Sequence, residues 1–368
     1  MESESALTTQ YEDSEELGEK EITTDAEKSH TTGTDTSSKL DDSESFNLRG
    51  IMLQPDAFGE GRPSSISVDY RRPKKMIGYL SKQRFGKFGK DVETKQPYPY
   101  LLDLRSLYLT ELTNVEQYKH ITYLDLTYNK ITNEGLDILP QLVHLLTLIL
   151  DHNKVKSMTL PIMKNLMYLS LNKNLLTTMS SINQPNLQFL FLNENRIRFV
   201  RFVDTAPKLH TLSISHCRLN SMSAHYAQSL EKLFLSYNNI SSIEGLDGLV
   251  NLKWLHLRGN KIKKLTGFNE ELSKLYYVNL RDNEIAEEQQ LKQLKILPLL
   301  RILILIGNPI NDGEEIRQMV LLNSPNMRRI NKYLVEEEEA ENAKKKMEEA
   351  DEEEQEETKL SSLSEGSA

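Results

Sequence analysis

At 368 residues the chain has the length of two or three ordinary domains, but only 38% of it is hydrophobic and those residues concentrate in the middle, so the ends add little to a core. A single cysteine, Cys217, excludes an internal disulfide and favours a reducing compartment; an acidic start without an apolar h-region, and no apolar run of about 18 residues, argue against a signal peptide and a transmembrane helix. The net charge of -9 is unevenly spread: Met1 to Phe46 carries 14 acids and 3 bases, Arg71 to Lys90 carries 8 bases and no acid, and Leu334 to Ala368 carries 14 acids and 4 bases.

Residues 1–70 read as a disordered acidic tail, too polar to repay the entropy of folding. Residues 71–96 form a basic arm in which Tyr79, Phe85 and Phe88 are interleaved with lysine and arginine. Bases supply long-range attraction and rings supply short-range contact, so the arm reads either as a dock for an acidic protein surface or as a linker partly packed on the first turn of the repeat region. RRPKK as a nuclear import signal and Gly86 to Gly89 as a GxxG loop are both weak matches.

From residue 97 to 331 one pattern recurs. Leu252 to Ile262, LKWLHLRGNKI, is an instance of LxxLxLxxNxI, and its marker position is held by Asn129, Asn153, Asn174, Asn195, Cys217, Asn238, Asn260, Asn283 and Asn308. A period of 20 to 29 residues with this spacing identifies a leucine-rich repeat solenoid. The expected fold is an α/β horseshoe: short parallel strands on the concave face, short 3₁₀ or helical turns on the convex face, a C-terminal cap and a disordered N-terminus. Leu104, Leu107, Leu109, Leu112 and Val115 are expected to form a degenerate first turn with Leu112 at the marker position. Ile240, Ile243, Leu246 and Leu249, three apart, predict a 3₁₀ path on the convex side.

Within LxxLxL, residues two apart share a strand face, so the leucines point inward and the residues between them line the concave side. That alternation places Tyr123, Tyr168, Phe189, Phe191, Phe234, Trp254, His256, Arg258, Tyr277 and Arg281 on the concave face. Core packing does not explain rings on this parity. Large rings beside arginine and asparagine have the composition of protein-binding hot spots, so these ten are the candidate protein-binding residues. Asp125 and Asp151, also concave, read as solvated strand residues rather than a catalytic pair. His210, His216, Cys217 and His225 have no zinc-ligand spacing, Cys217 reads as a packing residue, and no metal or cofactor is expected.

Gly307 to Tyr333 resembles the C-terminal cap of intracellular leucine-rich repeat proteins, with Asn308, Pro309, Arg317, Val320, Pro325, Met327 and Ile330 at matching positions and Asn331 where aspartate is usual. Residues 332–368 then form an acidic tail with helical spacing at Ala340, Ala343, Met347 and Ala350, a stripe too narrow to predict a stable homo-oligomer. The short convex turns resemble the intracellular class typified by a phosphatase regulatory subunit. The run Ile243 to Ile285, then LRILILIGNP, the cap and INKYLVEEEEAENA, resembles the leucine-rich repeat proteins of the axonemal radial spoke. That resemblance implies a structural component of the cytoskeleton in cilia and flagella, joining spoke head and stalk proteins. With no nucleotide-binding, nucleophile-elbow or zinc-protease motif, the chain reads as a non-enzymatic scaffold whose partners are radial spoke or other axonemal proteins, without membrane or nucleic acid. A phosphatase regulatory subunit and a nuclear acidic repeat adaptor are the alternatives.

Overall fold

The computed structural model describes residues 74–75, 85–90, 97–180, 182–201, 206–310 and 313–349. These all lie within one compact unit, Glu60–Ala368. The expected disorder of residues 1–70 and the tail beyond residue 349 fall outside the described residues.

Each repeat contributes one three-residue strand. In chain order these are β5 (Tyr123–Asp125), β6 (Thr147–Ile149), β7 (Tyr168–Ser170), β8 (Phe189–Phe191), β9 (Thr211–Ser213), β10 (Lys232–Phe234), β11 (Trp254–His256), β12 (Tyr277–Asn279) and β13 (Ile302–Ile304). They pair in parallel in a constant register, with Leu124, Leu148, Leu169, Leu190, Leu212, Leu233, Leu255, Val278 and Leu303 in one inward row. Every member of that row is fully buried. With two strands added at each end they form an open leucine-rich repeat sheet of thirteen strands, not a closed barrel.

β3 (Pro97–Asp103) is the first parallel member, with Leu101, Leu102 and Asp103 in register with Tyr123, Leu124 and Asp125. This corrects the expected register of the first turn. Leu102 and Leu104 are its inward pair and Leu107, not Leu112, occupies the marker position, 22 residues before Asn129. The reason is that β4 (Leu109–Glu111) leaves the sheet and pairs with β1 (Lys74–Lys75), so its leucines belong to the convex side. β2 (Phe85–Lys90) runs antiparallel to β3 and covers that end of the sheet; Phe85 packs on Tyr118 with ring centroids 5.2 Å apart. Part of the basic arm is thus a strand of the solenoid's own sheet.

At the other end, α1 (Glu314–Asn323) buries Ile316, Val320 and Leu321 over the last repeat, and β14 (Arg329–Ile330) pairs in parallel with β13. β15 (Tyr333–Leu334) closes the sheet antiparallel to β14. Residues 337–349 are helical and are fastened by Arg317, whose Nε and Nη2 donate to the two Glu339 carboxylate oxygens at 2.6 and 2.7 Å, with Nη2 also donating to the Leu334 carbonyl.

The marker asparagines carry the turns. Asn260 Nδ2 donates to the carbonyls of Leu257 and of Leu235 in the preceding repeat, and its Oδ1 accepts from the Ile240 N–H. The same three-way bridge recurs at the other seven asparagines, pairing backbone groups that the bend would otherwise leave buried and unmet. At Cys217 the sulfur makes only long contacts, 3.5 Å to Leu192 O and 3.6 Å to Ser215 O, and burial pushes its thiol up to about 11. That is the packing role expected of it.

Convex structure follows repeat length beyond the first turn, whose 22-residue step to Asn129 holds the 3₁₀ turn Val115–Gln117. The 24-residue step to Asn153 holds two 3₁₀ turns, Glu134–Leu136 and Leu139–Gln141, the 23-residue step to Asn283 holds Glu270–Leu272, and the 25-residue step to Asn308 holds the nine-residue Glu288–Ile296. Among the described residues, the steps of 21 and 22 from Asn153 to Asn260 hold none. A 3₁₀ turn advances only about 2 Å per residue, against about 3.3 Å for extended chain, so the same span needs extra residues to coil. Ile240 to Leu249, expected to follow a 3₁₀ path, crosses without a 3₁₀ segment, with left-handed backbone at Gly245 and Gly248 and a single turn in which Leu249 N–H donates to Leu246 O, while Ile240, Ile243, Leu246 and Leu249 are all buried as the spacing implied.

Candidate functional site

The register of the sheet arranges the concave side chains in three rows. The first row runs Leu101, Tyr123, Thr147, Tyr168, Phe189, Thr211, Lys232, Trp254, Tyr277, Ile302 and Arg329; the second lies two residues on in each strand, and the third two residues further. Neighbours along a row stand about 4.8 Å apart, close enough for rings to touch from repeat to repeat.

They do so in two clusters. Tyr168 meets Phe191 at 5.3 Å and Phe189 at 6.3 Å between ring centroids. Trp254 stacks on Tyr277 at 4.6 Å, Tyr277 lies parallel to His256 at 6.2 Å, and His256 meets Phe234 at 6.0 Å. The small residues Thr211 and Ser213 of β9 separate the two. Lys232 Nζ sits 5.8 Å from the Trp254 ring. Phe189, Phe191, Phe234, Trp254 and Tyr277 are half-buried against neighbouring rings, whereas Tyr168 is 8% exposed and serves as a floor. Tyr123 stands apart, half-buried beside Arg105 and Asp125.

Asp125 is buried and Asp151 half-buried, each engaged in hydrogen bonds, which corrects the expectation of solvated residues. Asp125 Oδ1 accepts from the backbone and hydroxyl of Thr127, with Arg105 Nε 3.6 Å from its other oxygen. Asp151 Oδ1 accepts from Ser170 Oγ at 2.6 Å and from the Asn172 N–H at 2.9 Å. Burial raises both carboxyls above the usual range, and these hydrogen bonds oppose it.

Asp151 begins a polar ladder across the third row that leucine spacing alone does not reveal. Asn172 Oδ1 accepts from Asn193 N–H, Asn193 Oδ1 accepts from Ser213 Oγ and Ser215 N–H, and Ser215 Oγ accepts from Ser236 N–H. Ser236 Oγ pairs with His256 Nδ1, and Asn279 Nδ2 donates to His256 Nε2 at 2.8 Å. Asn279 Oδ1 accepts from Arg281 N–H, which fixes the amide and leaves the His256 ring proton on Nδ1. Burial, and secondarily Arg258, lower His256 to about 4, so the ring is neutral. His256 therefore holds the face together from within. The signal in the sequence is the polar residue two places before each marker, as in DHN, NKN, NEN and SYN.

A second column lies on the rim, at the residue before each marker. Tyr128, His152, Lys173, Glu194, His216, Tyr237 and Asp282 all have left-handed backbones with φ between 53° and 58°. Tyr128 stacks on His152 at 4.0 Å, Lys173 pairs with Glu194 at 3.3 Å, and His216 stacks on Tyr237 at 4.3 Å. Arg258 lies 5.3 Å from the Tyr237 ring and bonds Asp282 at 3.0 Å. Among the described residues no three His, Cys, Asp or Glu side chains gather as metal ligands.

The family model "Leucine rich repeat" matches residues 207–262. The chain is 36% identical to "Leucine-rich repeat-containing protein 23" of Bos taurus over 65% of its own length and 70% of the relative's, and 34% identical to that of Homo sapiens over 65% and 69%. It belongs to the leucine-rich repeat-containing protein 23 family. The protein 23 of Xenopus tropicalis is 46% identical over a shorter stretch, 27% of this chain and 29% of the relative. Among solved structures, a TLR13–ssRNA13 complex matches 63% of this chain and 39% of its own with 22% identity and a TM-score of 0.52, a likeness of fold alone. Membership in the protein 23 family, with the repeat fold, supports a protein-interaction scaffold. No helix among the described residues is long and apolar enough to cross a membrane.

Proposed function

We propose that the chain is a non-enzymatic scaffold of the ciliary or flagellar axoneme, a radial spoke component that joins spoke head and stalk proteins through its concave face. The observation that carries this reading is the run of half-buried rings from Phe189 to Tyr277 on the concave parity, each fixed against a neighbouring ring. Rings fixed in this way lose little entropy when a partner covers them, which is the property of an interface anchor. The resemblance of the repeats from Ile243, the cap and the acidic helix to radial spoke leucine-rich repeat proteins supplies the setting.

The test is the location of the tagged chain in ciliated cells followed by detergent extraction of the axonemes. Retention in the extracted axoneme is expected. A diffuse cytosolic signal that copurifies with a phosphatase catalytic subunit, or a nuclear signal, would overturn the axonemal reading in favour of a phosphatase regulator or a nuclear adaptor.

A further inference from the structure

The edge of the coil just past the markers is strongly basic in its middle repeats. Residues 153–220 carry 9 bases and 2 acids in a chain whose net charge is -9, and one of those acids, Glu194, is held by Lys173 at 3.3 Å. The residue two places after each marker points inward, with Val155, Leu176, Ile197 and Leu219 fully buried, so the residues on either side of it project outward. At these outward positions stand Lys154, Lys156, Arg196, Arg198 and Arg218, and Arg201 follows three residues after Arg198. All six are exposed, and none of their side chains makes a hydrogen bond or an ion pair with another described residue. The backbone holds them in place: Arg196 N–H donates to Leu176 O at 2.8 Å and Arg218 N–H to Ile197 O at 3.0 Å, so successive repeats stand about 4.8 Å apart here as they do in the sheet. Phe199, 53% exposed, lies among the arginines, and its segment is pinned by Arg198 N–H to Thr177 O, Met179 N–H to Phe199 O and Arg201 N–H to Met179 O, at 3.0 to 3.1 Å. Like charges gathered in this way repel one another, and a ring so exposed leaves apolar surface in water. A ligand that brings carboxylates and an apolar side chain relieves both, and the guanidinium fork of the four arginines suits carboxylates.

We propose that this edge is a second docking surface, separate from the concave face, and that it binds an acidic segment of a partner protein. The segment's carboxylates meet Arg196, Arg198 and Arg218, and an apolar side chain lies over Phe199. Arg196 and Arg198, two residues apart, are separated by roughly 7 Å along the chain, and Arg196 and Arg218 by about 4.8 Å across it, so one short segment reaches all three. A nucleic acid fits less well. The group offers nucleobases one ring to stack on, Phe199, and a chain of net charge -9 repels a uniform polyanion, whereas a protein segment confines its acids to the contact.

The full chain is titrated into dye-labelled peptides of about twelve residues, a length that spans the four repeats concerned, and binding is read by fluorescence anisotropy. Three pools share Leu, Ile and Tyr and differ in carrying Asp and Glu, Lys and Arg, or Ser and Gln. The acidic pool is expected to bind about tenfold or more tightly than the other two. Its affinity should fall about tenfold or more in the Arg196→Gln/Arg198→Gln/Arg218→Gln variant, fall severalfold in Phe199→Ser, and weaken from about 0.05 to about 0.3 M salt. Circular dichroism should stay unchanged, since all four side chains are exposed. Equal binding of all pools, preference for the basic pool, or undiminished acidic binding by either variant would overturn the proposal. So would tighter binding of a single-stranded RNA of about twelve nucleotides, which would make the edge a nucleic-acid surface. Acidic peptides that bind only after the carboxylates of Met1 to Phe46 or of Leu334 to Ala368 are changed to amides would overturn it too, since the occupant would then be the chain's own tail. A Phe191→Ser/Phe234→Ser/Trp254→Ser variant should bind the acidic pool as wild type does. A loss there would place the peptides on the concave face and contradict a separate surface.

Discussion

His256 is the residue at which burial, protonation and stability are most tightly joined. Both its ring nitrogens are used, by Ser236 and Asn279, and it is lowered to about 4 from an ordinary 6.5. Between those values the unfolded chain takes up a proton that the folded chain refuses, so stability is intact above pH 6.5 and is lost as pH falls towards 4, by up to about 3 kcal/mol. Asp125 and Asp151, raised by burial, act with the opposite sign and gain stability on protonation. Urea unfolding of wild type and His256→Gln across this window isolates the histidine: the wild-type midpoint should fall relative to the variant's on acidification. Parallel curves would refute the assignment. The same scale holds the ladder. Asn260→Ala strands the Ile240 N–H and two carbonyls, and should cost about 2 to 4 kcal/mol, whereas Cys217→Asn restores a missing bridge and should add about 1 kcal/mol.

Among the elements, the convex crossings set the pitch of the coil, and two glycines separate close approach from backbone conformation. A Cβ on Gly267 would lie 1.6 Å from the Ile243 carbonyl oxygen of the preceding repeat, a contact with backbone that has nowhere to yield. A Cβ on Gly248 would meet nothing within 4 Å, but that residue has φ +77°. Gly267→Ala should therefore cost more than about 3 kcal/mol or fail to accumulate, and Gly248→Ala only about 1 kcal/mol. Similar losses at both sites, measured by denaturant unfolding, would show that the crossings adjust freely. This scale also marks what is legible in the sequence. Leucine spacing is decided by burial, which acts on every repeat alike, so the inward row is readable from Leu124 to Leu303. The first turn is misleading because β3 begins in PYPYLLD, where prolines replace the usual leucine spacing, and because Leu109 and Leu112 are buried on the convex side. The 3₁₀ expectation for Ile240 to Leu249 fails because three-residue burial fits an irregular crossing with glycine turns as well as a coil.

For the whole molecule, alternation alone places the ten candidate residues on one face, but it does not say how they support one another. Tyr168 is a floor and His256 a rung, while Phe189, Phe191, Phe234, Trp254 and Tyr277 stay half-buried. Such differences depend on contacts between residues some 21 to 23 positions apart, which a local pattern does not encode. Arg329, which the sequence pattern puts only in the cap, joins the first row because β14 extends the sheet. The scaffold reading rests on this face, and the direct test compares retention in extracted axonemes of the wild-type chain and a Phe191→Ser/Phe234→Ser/Trp254→Ser variant. The three rings stand on the concave side of the leucine row, so circular dichroism and melting should be nearly unchanged while retention is lost. A folded triple variant retained as fully as wild type would contradict the account.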